Sequence, residues 1–300
     1  MRPAPIALPG AAGADARPKP PPRPTYEALR VFARNPSALA GVLLLATILA
    51  ITIFGPMLMH ADPFEIAAAP MEPPGGELLL GSDYLGRDVL TGMIYGGRAT
   101  LLVGVVAAVL SMAIGITVGA LAGYYGGWVD ETLMRITEFF QVLPTLLFAM
   151  VLVTLFSPSL ATIAVAIGVV SWTGTARLAR GEFLRLKRRE YVLAERVIGA
   201  GDARIIWRVI LPNALAPLIV SATLAIGTAI LFEAGLSFLG LGDPNVMSWG
   251  LMIGSNRPYI LTAWWAVTLP GAAIFLTVLA VSLIGDGLND ALNPTSRGRA

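Results

Sequence analysis

The chain has 300 residues, of which 56% are hydrophobic and only 13% charged, with a mean hydropathy of +0.73. Soluble domains hold roughly 45–50% apolar and about 25% charged residues, so this composition excludes a water-soluble globule and places the chain in a lipid bilayer. A net charge of +2 gives no nucleic-acid signal, and zero cysteines with one histidine, His60, exclude disulfides, iron–sulfur clusters and His/Cys zinc sites.

The first 24 residues are rich in Pro and Ala and read as a disordered tail, which an amphipathic piece, TYEALRVFARNP, extends to residue 36. Val31 and Phe32 of that piece are placed against the lipid surface. The first span is expected at Ser37–Met59 (37–59), with His60 at its interfacial end. Residues 60–97 are rich in Pro, Gly and acidic side chains and read as an extramembrane segment.

Further apolar runs at Ala99–Gly123, Phe139–Phe156, Leu160–Thr175, Ala214–Gly240 and Ala263–Ile284 bring the total to six spans. The predicted fold is all-α and polytopic, with a five-helix core over 98–292 and a short tail at 293–300. Most arginines fall on one side of these spans: the N-terminal tail, the Tyr124–Arg135 turn, the Arg177–Arg208 loop, and Arg297 and Arg299. Arg87, Arg98 and Arg257 fall on the other, so the positive-inside rule puts both termini in the cytoplasm. Gly115, Gly119 and Gly123 recur every fourth residue and predict a close helix–helix contact, within one subunit or between two.

Two chemistries are read against. The only lysines, Lys19 and Lys187, do not stand in a phosphate-binding loop. Gly240-Leu241-Gly242-Asp243 spells an intramembrane protease motif, but no second buried aspartate accompanies it. Glu233 is the one acidic residue deep in an apolar run; it and Arg98 are candidates for the translocation path, or else for a structural ion pair with each other. Trp249, Tyr259, Trp264 and Trp265 are assigned to an interfacial belt.

The loop at 182–212 gathers charge that the rest of the chain avoids. Glu182–Ile198 predicts one helix, Gly199-Ala200-Gly201 a stop, and Asp202 the N-cap of a second helix ending at Pro212. Ile205, Ile206, Val209 and Ile210 form its apolar side, with Arg204 and Arg208 opposite. Anionic lipid headgroups are one partner such arginines fit.

Spacing suggests another. Leu193-Ala194-Glu195, three residues, Gly199, nine residues, then Val209-Ile210-Leu211-Pro212 resembles the loop of the membrane subunits of bacterial ABC importers: E-A-A, three residues, Gly, nine residues, I-x-L-P. Leu193, Glu195 and Val209 depart from that pattern in identity. GSDYLGRDVLTGMIYGGRATL (81–101), GYYGGWVDETLMR (123–135), ILPNALAPLIV (210–220), EAGLSFLGLG (233–242) and GDGLNDALNP (285–294) are similar to pieces of the "C"-type permeases of dipeptide and oligopeptide importers. Gly92 and Asn289 stand where that family usually has Arg.

The resemblance implies a type I importer permease in the bacterial inner membrane that binds no cofactor and performs no catalysis itself. ATP and Mg would sit on two cytoplasmic ATP-binding subunits; a second homologous permease subunit and an extracytoplasmic solute-binding protein would complete the machine. Gly199 would permit the turn entering the ATPase, and Ile205, Ile206 and Trp207 would anchor it. Di- and oligopeptides are the implied cargo, with nickel chelates, opines and glutathione as alternatives carried by the same machine. A secondary transporter or channel working alone is the rival of another class.

Overall fold

The computed structural model describes residues 24–76 and 78–292. Residues 1–23 of the expected N-terminal tail and the expected tail at 293–300, with Arg297 and Arg299, lie outside the described residues. Helix α1 (Pro24–Arg34) leads into α2 (Pro36–Met59) through Asn35, whose side chain accepts the Ser37 and Ala38 amides at 3.0 and 3.2 Å while Pro36 opens the helix. Phe32, expected against lipid, is half-buried: its ring edge lies 3.2 Å from where a Cβ of Gly287 on α12 (Trp265–Leu292) would stand, a glycine whose missing side chain makes room chiefly for Ala38, at 2.3 Å. Val31 stays exposed. His60 caps α2 in the left-handed region at φ 46°, a conformation histidine adopts more readily than most side chains.

Helix α3 (Val89–Tyr125) begins ten residues before the expected Ala99, because Asp88 caps it: its carboxylate accepts the Leu90 and Thr91 amides at 3.1 and 3.0 Å. At 37 residues it is about 55 Å long, more than a bilayer core of roughly 30 Å. The glycine face meets α7 (Thr173–Leu186) of the same chain. A Cβ on Gly115, Gly119 or Gly123 would stand 2.6 Å from Thr175 Cβ, 2.2 Å from the Ala176 carbonyl oxygen and 2.7 Å from Phe183 Cβ. The contact is within one subunit.

Two expected spans are bent pairs. Phe139–Phe156 divides into α4 (Gly127–Val142) and α5 (Thr145–Phe156), which meet at 86°. Pro144 forces Leu143 into extended backbone, ψ 130°, so the helix cannot run through. Leu160–Thr175 is α6 (Leu160–Val170) joined at 44° to α7. Four other helical stretches, α2, α3, Asp202–Leu241 and α12, are long and apolar enough to cross a membrane, which makes six spans when each bent pair counts as one. The described residues contain no strand beyond two isolated bridges, Ile66 with Arg87 and Ser82 with Asp88, which fold the segment after His60 into a cap.

That cap sits on α11 (Trp249–Asn256) and the start of α12. Asn256 Oδ1 accepts the Tyr84 amide at 3.1 Å, and Trp265 Nε1 donates to the Ser82 carbonyl at 3.0 Å. Trp249 Nε1 donates to the Met93 carbonyl at 2.8 Å. Trp249 and Trp265 are therefore buried core residues rather than belt residues, since each indole N–H finds a carbonyl inside the protein; Trp264 and Tyr259 remain exposed.

Candidate functional site

The opposite end of the bundle carries the charged loop. The expected helix Glu182–Ile198 is two helices, α7 and α8 (Glu190–Val197), separated by Lys187-Arg188-Arg189. Lys187 turns back, and its Nζ donates to the Gly123 carbonyl at 2.7 Å and reaches the Tyr124 carbonyl at 3.4 Å, satisfying acceptors at the C-terminus of α3. Burial and the neighbouring Arg188 push its pKa below the usual lysine value. Arg180 forks onto Asp130 at 2.5 and 2.6 Å and ties α7 to α4.

Gly199 ends α8 at φ +83°. Its N–H bonds to the Arg196 carbonyl and that of Ala200 to Glu195, both at 3.0 Å, the paired bonds of a Schellman stop. Glu195 faces Arg204 across the turn at 3.6 Å. Asp202 is not the N-cap: Gly201 occupies that position without a side-chain bond, and the Asp202 carboxylate instead accepts the Tyr124 hydroxyl at 2.6 Å. The Arg196 guanidinium lies 5.2 Å from the centre of the same tyrosine ring.

The second helix does not end at Pro212. A short α9 (Asp202–Arg204) passes through a π-helical turn at Ile205–Ile210 into α10 (Leu211–Leu236), and the helical path runs on as far as a kink at Gly240, φ +86°. In the π turn the Leu211 amide reaches five residues back to Ile206, and Pro212, which has no N–H to donate, follows it directly. Ile205, Ile206 and Ile210 are buried against Phe183, Val192 and Leu218 of this chain. The expected anchors Ile205 and Ile206 are thus consumed internally, and of that trio only Trp207 is free, at 43% exposed. Val209 and Leu211 are half-buried; Ala194 and Pro212 are exposed.

The most exposed apolar side chains of the loop are Val197 and Ile198, 87% and 75% exposed at its tip, with Leu193 one turn behind. Sequence reasoning passed over both. Their signal is position: the two residues before a left-handed stop ride the outside of the turn and cannot fold back onto the helix.

The other candidate pair does not form. Glu233 is 0% exposed, and its Oε1 accepts the Ser237 hydroxyl at 2.8 Å. Arg98 donates instead to the carbonyls of Thr52 at 2.8 Å and Ile53 at 2.6 Å on α2. The physical reason lies in Pro56, which has no N–H for the Thr52 carbonyl four residues back and so leaves it open to the guanidinium. Asp243 of the protease-like motif accepts the Leu160 amide at 3.2 Å and the Asn245 amide at 2.9 Å, a capping role at the start of α6.

Residues 115–298 match the family described as the inner membrane component of binding-protein-dependent transport systems. The chain belongs to that family. Residues 23–74 of the permease also match the N-terminal transmembrane domain of oligopeptide transport permease C, which spans α1, α2 and much of the cap. It is 42% identical to the di/tripeptide transport permease DppC of Pseudomonas aeruginosa over 93% of this chain and 95% of that one. It is also 42% identical to dipeptide permease DppC of Bacillus subtilis, with 91% and 86% covered. The match to DppC of Haemophilus influenzae is 41% identical over 91% and 96%. Among solved structures, an inward-facing form of the MetNI methionine ABC transporter aligns with TM-score 0.57 at 21% identity, covering 67% of this chain and 96% of that one. This last likeness shows the fold.

Proposed function

We propose that this permease is the membrane subunit of an ATP-driven importer of di- and oligopeptides in the bacterial inner membrane, with the 182–212 loop and both termini in the cytoplasm. It pairs with a second, homologous permease, and the solute passes between the two. Two cytoplasmic ATP-binding subunits hold the ATP and Mg and carry out hydrolysis. An extracytoplasmic binding protein delivers the solute. The similarity to peptide permeases over most of the chain supports this cargo.

The observation that carries the coupling role is the exposed Val197-Ile198 tip on a loop that is otherwise tied down. A soluble loop tip leaves such apolar surface unfavourable in water, and burying one aliphatic side chain in a partner contributes roughly 1.5–3 kcal/mol. The arm behind the tip runs without interruption into α10, so motion of the tip is delivered to a membrane span.

Ile198→Glu should leave membrane insertion and the permease pair intact and abolish co-purification of the ATP-binding subunits. Retained co-purification with full dipeptide uptake would refute the coupling role of the tip.

A further inference from the structure

Midway along the bundle, α3, the α6–α7 break and α10 enclose a cleft of about 170 Å³, room for a handful of waters at roughly 30 Å³ each. Its walls at Ala107, Ala108, Ala225 and Ala229 are small and apolar. Gly174 and Leu224 at its rim are exposed, so it opens sideways rather than being sealed within this chain.

Thr175, Ser221 and Thr228 also line the cleft, and two further features give it polarity. Ser111, 2% exposed, and Ser171 line it, and the hydroxyl oxygen of each is buried without a hydrogen-bond partner. Such groups cost roughly 1–3 kcal/mol each when left unsatisfied. The second feature is α7, which starts at the break with no side-chain cap; its first amide bonded back into the helix is Ala176, to the Trp172 carbonyl. Gly174 and Thr175 of its opening turn line the same cleft as the two hydroxyls, and a half-helix N-terminus inside a membrane favours an acceptor oxygen or an anion. Among the described residues no charged side chain lines the cleft.

We propose that this cleft is a transit subsite for the main-chain carbonyl and carboxylate oxygens of a short peptide. The inference rests on the peptide-importer reading. Ser111 and Ser171 donate to a carbonyl, and the first turn of α7 receives the carboxylate. The peptide's side chains lie against alanines, where there is room but no shape or charge to select among them. A second permease on the open side would roof the site.

The test uses the whole complex in proteoliposomes with its binding protein, and dialanine as the probe. Wild-type uptake of dialanine is read first, and its absence overturns the peptide-importer reading itself. The chain has no cysteine, so Ser111→Cys places one thiol in it, in a near-isosteric exchange. A small anionic methanethiosulfonate should label that thiol during ATP turnover. Dialanine at about four times its dissociation constant should slow labelling about fivefold by mass action. Labelling that dialanine does not slow, or no labelling in any state, overturns the subsite.

Gly174→Ala, →Leu and →Phe form a second series, because a Cβ at Gly174 meets nothing within 4 Å. Uptake should fall in that order in complexes that still assemble. A merely structural Gly174 predicts improvement for alanine, the better helix former. Uptake undiminished by Gly174→Phe overturns the proposal.

Discussion

Gly199 adopts φ +83° with open space where its Cβ would be, so its requirement is conformational and not steric. A residue with a side chain in that region costs roughly 1–2 kcal/mol, and asparagine less than a β-branched residue. Gly199→Val should therefore displace the Val197-Ile198 tip and sharply reduce recovery of the ATP-binding subunits with the permease, whereas Gly199→Asn should retain much of it. Equal loss in both would show that the dihedral is not what matters. The glycine was legible from sequence because helix formers flank it. The role of Glu195 was not: its carboxylate faces Arg204 nine positions on, a pairing created by the turn itself.

Among the elements, the α2–α3 seam shows how a proline and an arginine far apart in sequence become one unit. Thr52 packs against Gly97, and Arg98 spans to the carbonyls of Thr52 and Ile53. Arg98→Leu leaves the Thr52 carbonyl unpaired, at about 1–3 kcal/mol, while the Ile53 carbonyl keeps the Met57 amide within reach. Pro56→Ala supplies the amide that the Thr52 carbonyl lacks, so adding it to Arg98→Leu should recover part of the loss. Thermal inactivation of the purified complex, measured for both single variants and the double, checks this. A double variant no better than Arg98→Leu alone would sink the pairing. From sequence Arg98 was matched to Glu233, on depth along their spans alone. Depth does not reveal that one oxygen of an acidic side chain takes a hydroxyl one turn away or that a helix has an open carbonyl.

At the scale of the whole molecule, composition and apolar runs disclosed the four long spanning helices and the two bent pairs as apolar stretches, since bilayer thickness fixes the length of a crossing. They did not disclose the bends, because hydropathy is blind to direction; only Pro144 marked one of them. The apolar side of the 202–212 arm was likewise visible, but a stripe reads the same whether its own chain or a partner covers it. The π turn then joined that arm to α10, where the sequence suggested a stop at Pro212.

This continuity sets the last prediction. The loop is held to α3 through one shared tyrosine: Tyr124 donates to Asp202 and lies beneath Arg196, while Lys187 holds the carbonyl behind it. The Tyr124–Asp202 bond lies behind the exposed tip, so Tyr124→Phe leaves the docking surface in place and loosens the arm. A hydrogen bond to a charged group contributes about 1.5–3 kcal/mol. Tyr124→Phe and Asp202→Ala should each still co-purify the ATP-binding subunits and allow ATP hydrolysis, while dialanine moved per ATP hydrolysed falls about tenfold. Because both remove the same bond, the double variant should be no worse than either alone. Additive losses, or an unchanged ratio of peptide to ATP, would mean that force reaches the spans through α10 without the tie to α3.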